Sequence, residues 1–140
     1  MSDPNDWNRA IIDEFRANEG KVGGHFEGRT LLLLTHTGAK TGTIRVNPVA
    51  YQRRGDSYAI FASKGGAPDN PDWFHNLLAN PHVEIEVGTE RIPVRARVAE
   101  GAERDEIFDR QKEIWPGFDE YEEKTKGIRT IPVVVLDPVT

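Results

Sequence analysis

The 140-residue sequence is long enough for one domain with a hydrophobic core, and its net charge of −5 makes the protein acidic. It contains no cysteine, which excludes disulfides and thiolate chemistry. No segment approaches the roughly 20 apolar residues that span a bilayer, and residues 1–6 lack the basic start and apolar run of a signal peptide. We therefore expect a soluble, cytoplasmic protein.

The charge is distributed unevenly along the chain. Residues 28–68 carry six basic side chains and one acidic side chain, whereas the segments on either side are acidic. A basic segment inside an acidic protein favours a local anionic ligand, because attraction to nucleic acid would favour a basic protein as a whole. We expect no nucleic-acid partner.

The N-terminal segment, residues 6–18, is predicted to be a helix. Its apolar side chains recur at helical spacing: Trp7, Ile11, Ile12 and Phe15. The favoured interpretation is a helix packed on the rest of the fold. The alternative is an amphipathic arm that binds a membrane surface peripherally or an apolar substrate, although nearby acidic residues disfavour anionic lipid. Residues 1–24, the helix and a glycine-rich linker, are thus set apart from a domain at residues 25–140.

Residues 35–48 form the first of two glycine-rich motifs. They begin at the end of a predicted strand, residues 30–35, and run into the next, residues 45–51. Glycines let the backbone turn and expose its N–H groups, while Lys40 and Arg45 supply positive charge. This mixture suits a bound anion such as a phosphate. The alternative is an ordinary polar hairpin turn.

A third predicted strand, residues 57–62, leads into the second glycine-rich motif, residues 63–68. The motif carries Lys64 and two adjacent glycines, which would let the backbone approach the face of a ligand closely. The alternative is a flexible linker.

A short helix with clear boundaries follows the second motif. Asn70 is the predicted N-cap, Pro71 suits the first helical position, and Asn80-Pro81 ends the helix. Asn76 lies between apolar pairs on this helix, where it would reach a ligand or cap a neighbouring loop.

The next two strands are predicted to form a hairpin, with strands at residues 82–88 and 90–98. A turn between them sets these residues opposite each other: Glu86 and Arg91, Ile85 and Ile92, Val83 and Val94. One face is then apolar and the other carries opposite charges, which supports this register. Arg95 and Arg97 extend the charged face. We expect both to pair in solvent with Glu84 and Glu86 on the first strand of this hairpin.

The remaining segments complete the predicted fold. Residues 102–115 read as a helix, residues 118–125 as a short helix, and residues 131–136 as a strand too apolar for an exposed position. Six short strands with inserted helices predict an α+β fold, a mostly antiparallel β-barrel with helices packed outside, because several strands follow one another directly. Pro48 cannot donate to a sheet ladder and should lie at an edge or bulge.

Several kinds of site are excluded. The first motif is not a P-loop, no G-x-G-x-x-G follows a strand, and no G-x-S-x-G is present. The four histidines lack metal-ligand spacing, so we expect no metal and structural or surface roles for them. Only His75 lies beside the proposed site. An anion cradle with a loop able to face a flat ring fits a protein whose cofactor supplies the reactivity.

With these motifs the sequence resembles the deazaflavin-dependent nitroreductase family. Residues 37–48 resemble its first signature, and residues 62–68 with 71–81 its second. The resemblance covers roughly residues 25–137. It implies the split β-barrel fold of flavin-binding oxidoreductases. It also implies binding of coenzyme F-420, an 8-hydroxy-5-deazaflavin with a phosphodiester and an oligoglutamate tail.

The resemblance further implies roles for individual residues. The anionic tail would be held by Lys40, Thr41, Gly42 and Arg45. The ring and its ribityl arm would be lined by Ala62, Ser63, Lys64, Gly65 and Gly66. The ring edge would lie near Pro48 and Val49, and the site would be closed or buttressed by Trp73 and Asn76. Where family members often carry substrate-contacting tyrosines, this chain has Trp115, Phe118 and Tyr121, of which only Tyr121 keeps a hydroxyl.

The leading hypothesis is an oxidoreductase that transfers a hydride from reduced F-420 to an electron-poor small molecule, namely a quinone, a nitroaromatic or an activated alkene. Ser63, Lys64 and Tyr121 are the candidate catalytic residues, since they could stabilise charge on the acceptor oxygen. Two alternatives remain: a split-barrel oxidoreductase that binds FMN, and a non-catalytic protein that binds the deazaflavin or a lipid-like ligand.

Overall fold

The structure is a computed structural model that describes residues 4–18, 20, 31–63 and 68–139, with side chains from residue 9 onward. In these ranges the chain forms four helices and six strands. The helices are α1 (Pro4–Ala17), α2 (Asp72–Ala79), α3 (Gly101–Ile114) and α4 (Gly117–Thr125). The strands are β1 (Leu31–Thr37), β2 (Ile44–Arg54), β3 (Ser57–Phe61), β4 (His82–Val87), β5 (Glu90–Ala99) and β6 (Val133–Pro138).

The six strands close into one barrel in the order β1-β2-β3-β6-β5-β4, and every neighbouring pair is antiparallel. The predicted α+β fold with a mostly antiparallel barrel is therefore confirmed. β6 lies between β3 and β5, as its apolar composition predicted. The first half of β2 pairs with β1 alone, because β3 pairs with β2 only from Tyr51 onward. Pro48 lies in that half, where one edge of β2 has no partner strand in the described chain, which is the kind of position expected for a residue without an N–H.

The run of four leucines at the start of β1 is buried on both faces of the barrel wall. Leu32 and Leu34 belong to the core inside the barrel, while Leu31 and Leu33 pack outside against α1. Side chains alternate along a strand, so two buried faces require an uninterrupted apolar run. Each such side chain removed from water contributes roughly 1.5–3 kcal/mol.

The helix α1 packs on the outer surface of β1 and β2, which is the favoured interpretation of the sequence. Ile11 and Phe15 are buried against the outward leucines of β1. Arg16 of the same helix donates two hydrogen bonds to the carboxylate of Glu86 on β4, at 2.8 and 3.1 Å. None of the helices in the described ranges is long and apolar enough to cross a bilayer.

A second outer cluster covers the opposite side of the barrel. Val133 and Val135 of β6 face outward and pack under α3 and α4, together with an aromatic group formed by Phe61, Phe108 and Phe118. β6 is therefore buried on both faces, like the start of β1. The two outer clusters explain why a small barrel needs helices on its outside.

The hairpin of β4 and β5 has the predicted register, with Glu86 opposite Arg91 and Ile85 opposite Ile92. The predicted charge pairing is wrong for Arg97, which binds Glu103 of α3 and Asp137 of β6 at 2.8 Å each. The glutamate opposite Arg91 is covered by α1 and binds Arg16 instead. Neighbouring elements, absent from an isolated hairpin, supply these partners.

Candidate functional site

The loop between β1 and β2, residues 38–43, is closed by its own backbone and is called the first loop below. The Gly38 N–H donates to the Thr43 carbonyl at 2.8 Å, and the Gly42 N–H donates to the Gly38 carbonyl at 2.9 Å. Gly42 has φ +70°, and a Cβ on Gly38 would lie 2.6 Å from the Thr41 hydroxyl oxygen. Both glycines are therefore required by the shape of the loop.

A chain of hydrogen bonds ties the first loop to α2 and to the barrel. The Ala39 N–H donates to Asn76 Oδ1 at 2.9 Å, which leaves Asn76 Nδ2 to donate to His36 Nδ1 at 3.0 Å. His36 Nε2 lies 2.6 Å from Asn47 Oδ1 and must donate to it. This pattern assigns a neutral His36 with its proton on Nε2. Burial lowers the pKa of His36, which agrees with that assignment.

A cleft of about 500 Å³ opens between the first loop and α2. Its lining residues are Gly38, Ala39, Lys40, Thr41, Arg45, Asp72, His75 and Asn76. Four of the residues predicted for the site, Lys40, Thr41, Arg45 and Asn76, thus meet at one surface. In the ranges that the structure describes, neither cation of this cleft forms an ion pair.

The described residues predicted to line the ring, to lie near its edge or to buttress the site include Ala62, Val49, Pro48 and Trp73. Ala62 and Trp73 are buried in the inner core, and Val49 packs against that core while partly exposed. Pro48 is half-buried on β2. Because Ala62 and Trp73 are buried, they are better placed to support the wall of a site than to contact a ligand over a large area.

The second glycine-rich motif is described only at its two ends. The expectations for Lys64, Gly65 and Gly66 lie outside the described residues. Ser63, at the first end, is half-buried. The segment of residues 63–70 is called the second loop below.

Arg129, which follows α4, holds both ends of the second loop. Its Nη1 donates to the Ala62 carbonyl at 3.0 Å and to Asn70 Oδ1 at 2.7 Å, and its Nη2 donates to the Ser63 carbonyl at 3.0 Å. Burial lowers the pKa of Arg129. The predicted N-cap role of Asn70 is wrong, because Pro71 occupies the N-cap position and the Asn70 oxygen accepts from Arg129 instead.

Tyr121 lies on α4 and packs against the ring of Phe118, with the ring centroids 5.2 Å apart. Trp115 contacts the same ring at 5.4 Å. Tyr121 is half-buried in this outer cluster and is not among the residues that line the cleft in the described part of the chain. The structure therefore brings the predicted tail-binding residues together but leaves Tyr121 apart from them.

Sequence reasoning missed Arg129 and the roles of His36 and Asn47. A signal for His36 existed: it follows Leu32 and Leu34 at alternate positions of β1, so it points into the barrel as the single polar residue of that face. A polar side chain at an inward position needs partners, which its two asparagines supply. No comparable local pattern marks Arg129.

No group of three histidine, aspartate or glutamate side chains in the described ranges could hold a metal ion.

Comparisons with known proteins agree with the two motifs. A family model described as F420H(2)-dependent quinone reductase matches residues 7–138. An F420H(2)-dependent quinone reductase of Mycobacterium tuberculosis is 40% identical over 131 residues, which cover 87% of this chain and 83% of that relative. A solved F420-H2 dependent reductase is 39% identical, with a TM-score of 0.69 over 76% of this chain and 93% of its own. Another solved chain, described as a domain-swapped dimer, is 34% identical, with a TM-score of 0.71 over 96% of this chain and 100% of its own.

Proposed function

The chain belongs to the F420H(2)-dependent quinone reductase family, and on that premise we propose that it transfers a hydride from reduced coenzyme F-420 to a quinone. Nitroaromatics and activated alkenes are further acceptors of the same electron-poor class. The bound cofactor supplies the two-electron hydride chemistry, so the protein contributes binding, orientation and electrostatics.

The observation that carries this proposal is the pair of unpaired cations in one cleft. Lys40 and Arg45 line the cleft beside the first loop, and the only carboxylate among its described lining residues is that of Asp72. Within the described chain, the backbone N–H groups of Lys40 and Thr41 also have no hydrogen-bond partner. Two cations and two free donors form a donor set that fits a phosphodiester followed by an acidic tail.

The ring would lie beyond the tail, towards the second loop, where Ser63 is held by Arg129. Because the guanidinium fixes the carbonyls of Ala62 and Ser63, the start of this loop is held in place before a ligand binds. Ser63, Lys64 and Tyr121 are the groups we propose for stabilising charge on the acceptor oxygen. Pro48, Val49 and Trp73 would support the wall.

Two measurements test this function. Titration of the intrinsic tryptophan fluorescence with F-420 and with FMN compares the two cofactors directly. Oxidation of reduced F-420 is then followed by absorbance with menadione as the quinone, and with a nitroaromatic for comparison. We expect saturable binding of F-420 and quinone-dependent oxidation.

Each alternative has its own result in these assays. Tighter saturation by FMN would favour the FMN-binding oxidoreductase. Binding of F-420 without turnover of any acceptor would favour the non-catalytic binding protein.

Peripheral membrane association through α1 is a separate proposal that the packing of this helix disfavours. Ile11 and Phe15, two of the apolar side chains that would enter a membrane surface, are buried against the barrel. Sedimentation with anionic and with neutral vesicles tests it. We expect the protein to stay in the supernatant with both.

A further inference from the structure

We propose that His36 is a positioning residue for the first loop: while neutral, it orients the side-chain amide of Asn76, and Asn76 in turn holds the backbone of Ala39. Protonation of His36 would break this chain of hydrogen bonds and loosen the loop. The link from this loop to cofactor binding rests on the proposed function. The positioning of the loop does not.

The geometry fixes the direction of every bond in the chain. Asn76 has one acceptor atom and one donor atom, and the Ala39 N–H occupies the acceptor at 2.9 Å. The donor therefore faces His36 Nδ1, at 3.0 Å, and that nitrogen must carry no proton. The remaining nitrogen of the ring then donates to Asn47 Oδ1 at 2.6 Å.

The surroundings of His36 favour its neutral form. His36 is 2% exposed and Asn76 is 6% exposed, so neither can exchange its partner for bulk water. Burial is the main reason that the pKa of His36 lies below its ordinary value, and it acts together with the positive charge of Arg45 on β2. The hydrogen bond to Asn47 and the negative charge of Asp72 on α2 act in the opposite direction, towards a higher pKa, but they do not outweigh burial. Glu84 of β4 is paired with Thr35, whose side chain faces the other side of the sheet from His36.

Protonation would place an N–H on each nitrogen of the ring. The Nδ1 proton would then face the amide nitrogen of Asn76, so that two donors oppose each other. If the Asn76 amide rotated to present its oxygen to His36, its nitrogen would face the Ala39 N–H instead. Without rotation the hydrogen bond between His36 and Asn76 is lost, and with rotation the bond from the Ala39 N–H to Asn76 is lost. In either arrangement a buried donor is left without an acceptor, and the chain from β1 through α2 to the first loop is broken.

Titration of the free protein tests the positioning directly. Nitrogen NMR of the imidazole reports the tautomer, and hydrogen exchange of the Ala39 amide reports the loop. We expect His36 to carry its proton on Nε2 at neutral pH. As the pH falls below the ordinary histidine pKa of about 6.5, the Ala39 amide should lose protection with the same midpoint as His36.

Three variants keep the test specific. His36→Gln removes the titration and should abolish the pH dependence of the Ala39 amide. Asn76→Asp offers carboxylate oxygens to both Ala39 and protonated His36, so it should raise the pKa of His36 and preserve protection of Ala39 at low pH. His82→Gln changes an exposed histidine of β4 and should leave the pH dependence of Ala39 as it is in the wild type.

The proposal would be overturned if the exchange protection of the Ala39 amide did not change when His36 is protonated. It would also be overturned if the neutral His36 ring carried its proton on Nδ1. The affinity for F-420, measured by tryptophan fluorescence over the same pH range, should fall roughly tenfold on protonation in the wild type. His36→Gln should show only the pH dependence that belongs to the cofactor itself. In another outcome, the Ala39 amide loses protection with the midpoint of His36 while the affinity for F-420 stays unchanged over the same pH range. That result would support the positioning of the loop and overturn the first loop as the cofactor site.

Discussion

Arg129 Nη1 donates to Asn70 Oδ1 at 2.7 Å, which joins the segment before β6 to the segment before α2. The same guanidinium bonds the carbonyls of Ala62 and Ser63. One side chain thus holds the entry and the exit of the second loop. A planar fork with several donors is suited to this task, whereas the compact ammonium of a lysine is not.

We therefore expect Arg129→Lys to damage the protein although it preserves the charge. At least one buried carbonyl or amide oxygen would lose its donor, and the free energy of unfolding should fall by about 1–3 kcal/mol. Urea unfolding measures the stability, and F-420 titration measures whether the second loop still supports binding. Arg110→Lys, on the exposed face of α3, is the matched control and should change neither quantity. Equal stability and equal F-420 affinity of the two variants would exclude a specific role for the Arg129 guanidinium.

Replacing both Lys40 and Arg45 with Ala should weaken F-420 binding by more than tenfold, because each cation contributes a charge-assisted contact to the anionic tail. The salt dependence of the dissociation constant should also become shallower. Stability should change by less than about 0.5 kcal/mol, since in the described chain neither side chain forms an ion pair. The double variant Arg110→Ala and Lys124→Ala removes the same charge from an exposed surface. Unchanged affinity in the cleft variant would exclude the first loop as the tail site.

The ion pair of Arg16 and Glu86 should contribute more to stability than a pair in solvent. The Glu86 side chain is only 12% exposed under α1, although Arg16 is 46% exposed. A double-mutant cycle with Arg16→Ala and Glu86→Ala should give a coupling free energy of about 1 kcal/mol. The exposed pair of Arg110 and Glu113 on α3 should give only a few tenths. Similar couplings for both pairs would show that α1 is held by its apolar contacts alone.

Asp137 should make the barrel sensitive to acid. Its burial alone would raise its pKa, but hydrogen bonds from Ser57 and Arg97 outweigh burial and hold that pKa below its ordinary value. The unfolded chain then binds the proton more readily than the folded one. The stabilisation is full above the unfolded-state pKa and is lost as the pH falls through the folded-state pKa.

Urea unfolding at several acidic pH values measures this contribution. Asp137→Asn should be less stable than the wild type at neutral pH, and the difference should shrink as the pH falls. A difference that stays constant with pH would contradict the assigned cause, because it would mean that the charge of Asp137 has no part in it.

The sequence predicted those features that depend on neighbouring residues. The register of β4 and β5 follows from side chains within one hairpin, and the central place of β6 follows from its unbroken apolar run. The two glycine-rich motifs located the first loop and the ends of the second. The side-chain contacts that closure of the barrel makes between distant segments could not be predicted from such local patterns. Closure of the barrel brings Arg129 to Ser63, which are 66 positions apart in the sequence, and Arg16 to Glu86, which are 70 positions apart. The periodicity of side chains within one segment carries no information about contacts over such separations.

The leucines of β1 have a consequence for how that strand finds its place. Because both sides of the strand are covered, a shift by one residue would still bury leucine on each side, and apolar burial alone would hardly oppose it. His36 removes this ambiguity, since only one phase of the strand turns its ring towards Asn47 and Asn76. In the shifted register the buried side chains of His36 and Asn76 and the half-buried side chain of Asn47 would lose these hydrogen bonds. The same few hydrogen bonds that shape the first loop therefore also select the alignment in which β1 enters the barrel.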